Sequence, residues 1–270
     1  MSGKERADVA LVKLGLVESR EKAQAQIMAG VVFADLRKIQ KPSDTVGEEE
    51  SLTIRGSVHP FVSRGGLKLE KALDTFGACV EGIVAMDIGA ATGGFTDVLL
   101  RRGAAHVYAI DVGYGQLDWA LRNHSQVTVM ERTNARYLKA EQFDKKPTLT
   151  VMDVSFISIR LILPVAAGIM GESGRFYTLI KPQFEAGKDR VGKKGVVRDP
   201  KVHQAVLEEI VDFTPSFGYQ VLGLTFSPIT GPEGNMEFLA HIVPKRGDMP
   251  EISRENMKKI VEEAHFTLNK

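Results

Sequence analysis

The chain has 270 residues, enough for a full α/β core and a small additional domain, and its 35 basic and 34 acidic residues nearly cancel, so bulk charge selects no partner and only local clusters can. A single cysteine, Cys79, excludes an internal disulfide framework and a Cys-rich metal site, and no metal is expected. The start carries no apolar signal core, and the longest apolar-plus-glycine run, LILPVAAGIM at 161–170, falls well short of the roughly 18 residues of a spanning helix, so a cytoplasmic protein without stable membrane association is expected.

Residues 1–56 read as a small domain. ERADVALVKLGL places apolar residues at helical spacing and stops at Gly15, and Ser19 can cap a second helix, SREKAQAQIMAG, that ends at Gly30. VVFADLRKIQ then reads as a tight strand pair, and Pro42 begins a loop that passes the acidic GEEE. Residues 57–62 read as a linker. From 63 to 246 the rhythm is strand, loop, helix. GIVAMDIG, AHVYAID, QVTVME, TLTVMD and GRFYTLIK are short β-rich runs, separated by helix-like stretches such as GGFTDVLLRRG and ISIRLILPVAAGIM. That alternation predicts a doubly wound parallel sheet. Its end differs, because YQVLGLTFSPI and EFLAHIV are joined only by TGPEGN and must be antiparallel neighbours. Residues 247–270 predict one last amphipathic helix.

The loop MDIGAATGGF at 86–95 follows an apolar strand and opens a helix. A nicotinamide loop would read G-x-G-x-x-G, but Ala91 stands where the second glycine belongs, and the Gly-Lys-Ser/Thr of a P-loop is absent. What remains is D-x-G-x-x-x-G-G, in which small residues let the backbone approach a ligand and a helix N-terminus meets its carboxylate. Asp111 ends the next strand, where an acid takes ribose hydroxyls. Asn134 and Asp153 complete a ring at the carboxyl ends of the strands. A glycine turn that only packs a helix on the sheet is the competing reading.

A parallel sheet closed by such a hairpin resembles the Rossmann-like fold of S-adenosylmethionine (SAM)-dependent methyltransferases. On that resemblance Asp87, Gly89, Ala90, Gly93, Gly94, Phe95, Asp111, Asn134 and Asp153 would bind SAM. Methylation of an exocyclic amine is disfavoured, because Asp153-Val154-Ser155-Phe156 lacks the prolines of the Asn/Asp-Pro-Pro-Tyr/Phe motif. Methylation at C5 of a pyrimidine needs a thiolate, and Cys79 precedes the first strand of the sheet. A ribose 2′-hydroxyl instead needs its proton withdrawn, work that a tuned lysine can do. Lys181, in TLIKPQF, stands beside Asp153; Lys68, in SRGGLKLEKAL, precedes the sheet; Glu237 lies in NMEFLAHIV on the last strand.

These four resemble, in order and context, the Lys-Asp-Lys-Glu tetrad of the FtsJ-like ribose 2′-O-methyltransferases. The first domain resembles the alpha-L RNA-binding domain through Ser19, Arg20, Ala23, Ile27, Gly30, Val32 and the KPS at 41–43. Leu36 departs from it, standing where the family has the glycine of an Asn-Gly turn, so a longer or looser turn is expected. From about residue 5 to 244 the chain is similar to the TlyA family, bacterial proteins labelled haemolysins that methylate the 2′-hydroxyl of cytidines in ribosomal RNA. The resemblance implies Lys181 as base, oriented by Asp153, with Lys68 and Glu237 holding the ribose and the network. It implies ribosomal RNA or a ribosomal subunit as partner. Arg6, Arg20, Lys22, Arg37, Lys38, Lys41 and Arg64 would contact it. So would Lys188, Arg190, Lys193 and Lys194, in the stretch 181–201, whose seven basic and three acidic residues read as a long mobile flap. Two other classes stay open: a membrane-active haemolysin, and an RNA-binding ribosome-assembly factor without catalysis.

Overall fold

The computed structural model describes residues 4–28, 30–47, 49–54, 59–192, 194–231, 233–247 and 250–268. It divides into two compact units, 1–60 and 61–270.

The first unit contains β1 (Glu5–Arg6), α1 (Ala7–Lys13), α2 (Arg20–Met28), β2 (Val32–Ala34), β3 (Arg37–Lys38), β4 (Thr45–Val46) and β5 (Leu52–Ile54). Leu11 and Ile27, on the inner faces of the two helices, close over Val32, Ile39 and Leu52. The Ser19 hydroxyl caps α2 by accepting the Lys22 amide at 3.2 Å. Ala34 pairs with Arg37, so the hairpin turns on two residues only, and the looser turn expected at Leu36 does not form. Asp35 supplies the left-handed conformation instead, with φ of 52°, and its carboxylate accepts the Ser51 amide at 3.1 Å. Aspartate tolerates that region better than most residues because its short side chain bonds locally.

The second unit holds α3 (Gly66–Thr75), β6 (Val84–Ile88), α4 (Gly94–Arg101), β7 (His106–Ile110), α5 (Trp119–Arg122), β8 (Val127–Met130), β9 (Leu149–Met152), α6 (Leu163–Met170), β10 (Arg175–Ile180), α7 (Pro182–Glu185), α8 (Pro200–Phe213), β11 (Tyr219–Phe226), β12 (Phe238–Pro244) and α9 (Arg254–Leu268). Its seven-stranded sheet runs β11-β12-β10-β9-β6-β7-β8. The five strands from β10 to β8 are mutually parallel, and β12 is antiparallel to both its neighbours. Every residue of β7 and β9 is buried, the pattern of strands covered on both faces. Two apolar clusters, one on each side of the sheet, provide that cover.

Two features of this topology position a site. After β6 the chain builds β7 and β8 on one side and returns to add β9 on the other, so a crevice opens at the carboxyl ends of β6 and β9. Because β12 is antiparallel, its beginning lies level with the end of β10, with Phe238 opposite Ile180. Glu237 sits one residue before β12, not within it as the sequence predicts, and thus reaches the same rim.

The stretch 181–201 is not one long loop. Pro182–Glu185 is helical, Lys188–Arg190 forms a 3-10 turn, and α8 begins at Pro200. Between them the chain is tied down by Asn235, which accepts the Val197 amide and donates to the Gly195 carbonyl, both at 3.0 Å. Lys193 lies outside the described residues.

A buried histidine joins α8 to α9. His203 Nε2 donates to the Val197 carbonyl at 3.1 Å, leaving Nδ1 to accept from His265 Nε2 at 2.9 Å. Burial first, and His265 second, hold the His203 imidazole down at about 4, from an ordinary value of 6.5; the bond to the Val197 carbonyl and, more weakly, Asp199 oppose them. The unfolded chain therefore binds the extra proton first, and stability falls as pH drops from about 6.5 toward about 4. Chemical denaturation at successive pH values should show this decline, and His203→Gln should flatten it. An unchanged slope in the variant would contradict the assignment.

Candidate active site

The crevice is shaped by small residues. Gly89, directly after β6, has φ of 84°, and a Cβ there would stand 2.5 Å from the Asp153 carbonyl oxygen. Only glycine lets the β6 and β9 loops come this close. A Cβ on Gly94 would collide with Ser63 and would stand 2.9 Å from the Gly66 amide, so the start of α4 lies directly against the start of α3. Gly93 has a different task. Its φ is 95° and its open side is filled by Leu121 and Leu117, so it packs α4 against the α5 region and does not line the crevice.

Two clefts share the wall formed by Gly89, Ala91, Asp153 and Ser155. One, of about 350 Å³, is lined by Asp111, Gln116, Asn134 and the segment 153–157, with Ile88 and Ile110 beneath. Asp111 is already engaged with the backbone, its two oxygens accepting the amides of Ala91 at 2.9 Å and Gly113 at 2.7 Å. It thereby fixes the loop that bounds the cleft. Asn134 caps the following 3-10 turn by accepting the Arg136 amide at 3.1 Å. The other cleft, of about 410 Å³, is lined by Ser63, Arg64, Ala90, Gly94 and Phe95 and holds Lys68, Asp153, Lys181 and Glu237.

These four form a chain of alternating charge. Lys181 Nζ lies 2.5 Å from Asp153 Oδ1, Lys68 Nζ 3.1 Å from Asp153 Oδ2, and Lys68 Nζ 2.6 Å from Glu237 Oε2. Lys68, Lys181 and Glu237 are buried, and none of them could be so as an isolated ion. Burial pulls the Lys68 ammonium down, but Asp153 and Glu237 outweigh it and leave Lys68 raised above the usual lysine range. Burial likewise pushes Asp153 up, and Lys68 and Lys181 together bring it below the usual carboxylate range. Lys181 also reaches the Ser155 hydroxyl at 3.0 Å, a partner within the Asp153–Phe156 stretch to which the sequence assigned no role.

Asp87 departs from its expected place. It is fully buried, accepts the Thr96 hydroxyl at 2.7 Å and lines neither cleft. Burial, which its bond to Thr96 only partly offsets, pushes it up to about 7.

A family profile described as FtsJ-like methyltransferase matches residues 61–243, and one described as S4 domain matches residues 5–52. The chain belongs to the FtsJ-like methyltransferase family. It is 50% identical over 270 residues to a Bacillus subtilis protein provisionally named rRNA methyltransferase YqxC, covering 99% of this chain and 96% of that one. It is 44% identical over 239 residues to the 16S/23S rRNA (cytidine-2′-O)-methyltransferase TlyA of Mycobacterium tuberculosis, covering 88% and 89% respectively. A solved Streptococcus thermophilus structure, provisionally called a hemolysin, superposes with a TM-score of 0.79 at 44% identity, covering 100% of this chain and 98% of that one.

In this FtsJ-like chain the basic residues fall into three groups: those lining clefts, those engaged in ion pairs and those simply exposed. Arg64 lines the tetrad cleft, and Lys188 lines another that shares Phe156 and Ile157 with the 350 Å³ cleft. Lys194 is exposed, whereas Arg190 is bound to Glu209 at 2.7 Å and to the Ala186 carbonyl at 2.6 Å. In the first unit Lys38 and Lys41 are exposed, Arg37 pairs with Glu50 at 2.7 Å, and Lys22 pairs with Glu18. Arg6 and Arg20 both bind the fully buried Asp8, each through Nε at 2.9 Å. Asp8 carried no sequence signal, because its partners lie two and twelve positions away and only the fold joins them. No described helix is long and apolar enough to cross a membrane.

The charge chain makes a stability prediction. Lys68→Met leaves Glu237 buried without a cation and should cost about 3–5 kcal/mol by chemical denaturation. Adding Glu237→Leu removes the stranded charge and should return part of that loss. A double variant less stable than Lys68→Met would contradict the arrangement.

Proposed function

We propose that the chain transfers a methyl group from SAM to the 2′-hydroxyl of a cytidine in ribosomal RNA. The M. tuberculosis relative bears that activity in its name, and the family membership carries the class of reaction. The observation that carries the proposal in this chain is the Lys181–Asp153–Lys68–Glu237 sequence of charges beside the Gly89 wall.

The 350 Å³ cleft fits SAM. Its volume lies within the roughly 300–1,000 Å³ of small-molecule sites, and its walls are mostly apolar, with Asp111, Asn134 and Asp153 at the rim. Asp111 would take ribose hydroxyls, the backbone from Gly89 to Ala91 would meet the amino-acid moiety, and the glycine that keeps Asp153 close would keep the two clefts continuous. When bound, SAM supplies an electrophilic methyl group.

The chain's own residues supply proton handling and position. Lys68, gripped by two carboxylates, stays an ammonium and cancels charge that would otherwise repel RNA phosphates. Lys181 is held by one carboxylate, shared with Lys68, and by the Ser155 hydroxyl; once that ammonium has given up a proton, its neutral amine would accept the 2′-proton. Asp153 fixes that amine in direction. Burial of the tetrad strengthens each of these contacts by excluding water. The first unit, with guanidinium groups of Arg6 and Arg20 held by Asp8 and with Lys38 and Lys41 exposed, would grip RNA phosphates. A ribosomal RNA substrate implies work in the cytoplasm.

Lys181→Ala should lower the single-turnover methylation rate by roughly 10²–10⁴-fold, the usual share of general acid–base catalysis. Lys181→Arg should hardly restore it, because a guanidinium cannot give up its proton. Calorimetric SAM affinity should survive in both. A full-rate Lys181→Arg protein would mark Lys181 as a phosphate clamp instead.

A further inference from the structure

The loops that carry Asp153 and Lys181 are joined at both ends. Near the reaction centre Lys181 binds Asp153 at 2.5 Å and Ser155 at 3.0 Å. Five residues past Asp153 and four past Lys181 a second joint forms. The Ser158 hydroxyl donates to Glu185 Oε2 at 2.6 Å, and the Ile159 amide donates to Glu185 Oε1 at 2.8 Å. Between the joints, Phe156 and Phe184 touch with ring centroids 5.1 Å apart. Glu185 is buried, and Arg160, itself bound to Glu209 at 2.8 Å, lies 3.5 Å from its carboxylate; burial still leaves that carboxylate above its usual range, with Ser158, Ile159 and Arg160 offsetting only part of it.

The segment 153–158 needs such a joint. Phe156 has φ of 63°, a left-handed backbone that a bulky side chain seldom adopts, and it is 92% exposed. Its own burial therefore offsets none of that strain, and the surroundings must hold the turn. The same segment is the wall between the two clefts, so any relaxation of the turn moves Asp153.

We propose that Glu185 is a positioning residue for methyl transfer. By receiving Ser158 and Ile159 it holds the strained 153–158 turn and so keeps Asp153 in register with Lys181. This rests on the base assignment made for Lys181. A carboxylate suits the task because it accepts both the Ser158 hydroxyl and the Ile159 amide, whereas an amide can accept only one of them and would force the Ser158 hydroxyl to turn round and accept.

The test uses the full chain and single-turnover methylation of ribosomal RNA. Ser158→Ala and Glu185→Gln should each slow the chemical step by roughly 10–100-fold, the size of effect expected when reacting groups shift by about an ångström. RNA and SAM affinities should stay within about threefold of the parent, the split expected when only the transition state is affected. Ser158→Thr keeps the hydroxyl and should keep most of the rate. On a Lys181→Ala background Glu185→Gln should cost nothing further, because the pair it aligns is already broken. A full-rate Ser158→Ala protein, a loss that appears only as weaker RNA or SAM binding, or full additivity with a slow Lys181→Ala would each overturn the role of Glu185. A full-rate Lys181→Ala protein would overturn the base assignment itself and Glu185 with it.

Discussion

One carboxylate shared by two lysines organises the second unit. Asp153 lies between Lys181 and Lys68, and Lys68 is held in turn by Glu237. Each of these charges is stable in a buried place only because the next one is present. Their elements are far apart in the chain: α3, the end of β9, the end of β10 and the start of β12. The antiparallel setting of β12 makes the set possible. Were it parallel, Glu237 would stand at the amino ends of the parallel strands, the far end of the sheet from Asp153 and Lys181.

The glycines and the paired loops serve that arrangement. Gly89 admits the Asp153 carbonyl, and Gly94 admits Ser63 and the head of α3, which carries Lys68. Ser158 and Glu185 tie the loop after β9 to the helix after β10. The result is a cluster of charged groups built at strand ends, where rigid elements hold them in fixed register. The first unit repeats the principle in smaller form. One buried carboxylate, Asp8, fixes two arginines whose guanidinium groups would otherwise swing freely.

Much of this was legible in the sequence because it is local. The strand–loop–helix rhythm, the hairpin that closes the sheet and the glycine loop each leave a mark within a dozen residues. The tetrad was legible only through family resemblance; no spacing rule brings residues 68, 153, 181 and 237 together. Asp87 and Gly93 misled for the converse reason. They stand in a ligand-binding pattern, but Asp87 turns inward to Thr96 and Gly93 makes room for Leu117 and Leu121. A motif does not reveal which of its members face the ligand and which support the loop. Glu185, Ser158 and Asp8 were invisible because their partners are set by tertiary contact alone, and the helical content of 181–201 was hidden by its glycines and charge.

We propose that this charge chain serves a ribose hydroxyl rather than a base. The most direct measurement is nucleoside mass spectrometry of ribosomal RNA lacking the modification, after incubation with the purified full chain and SAM. The added methyl should appear on the sugar, as 2′-O-methylcytidine. A methyl group found on a nucleobase, or none transferred by a protein that binds both SAM and RNA, would contradict it.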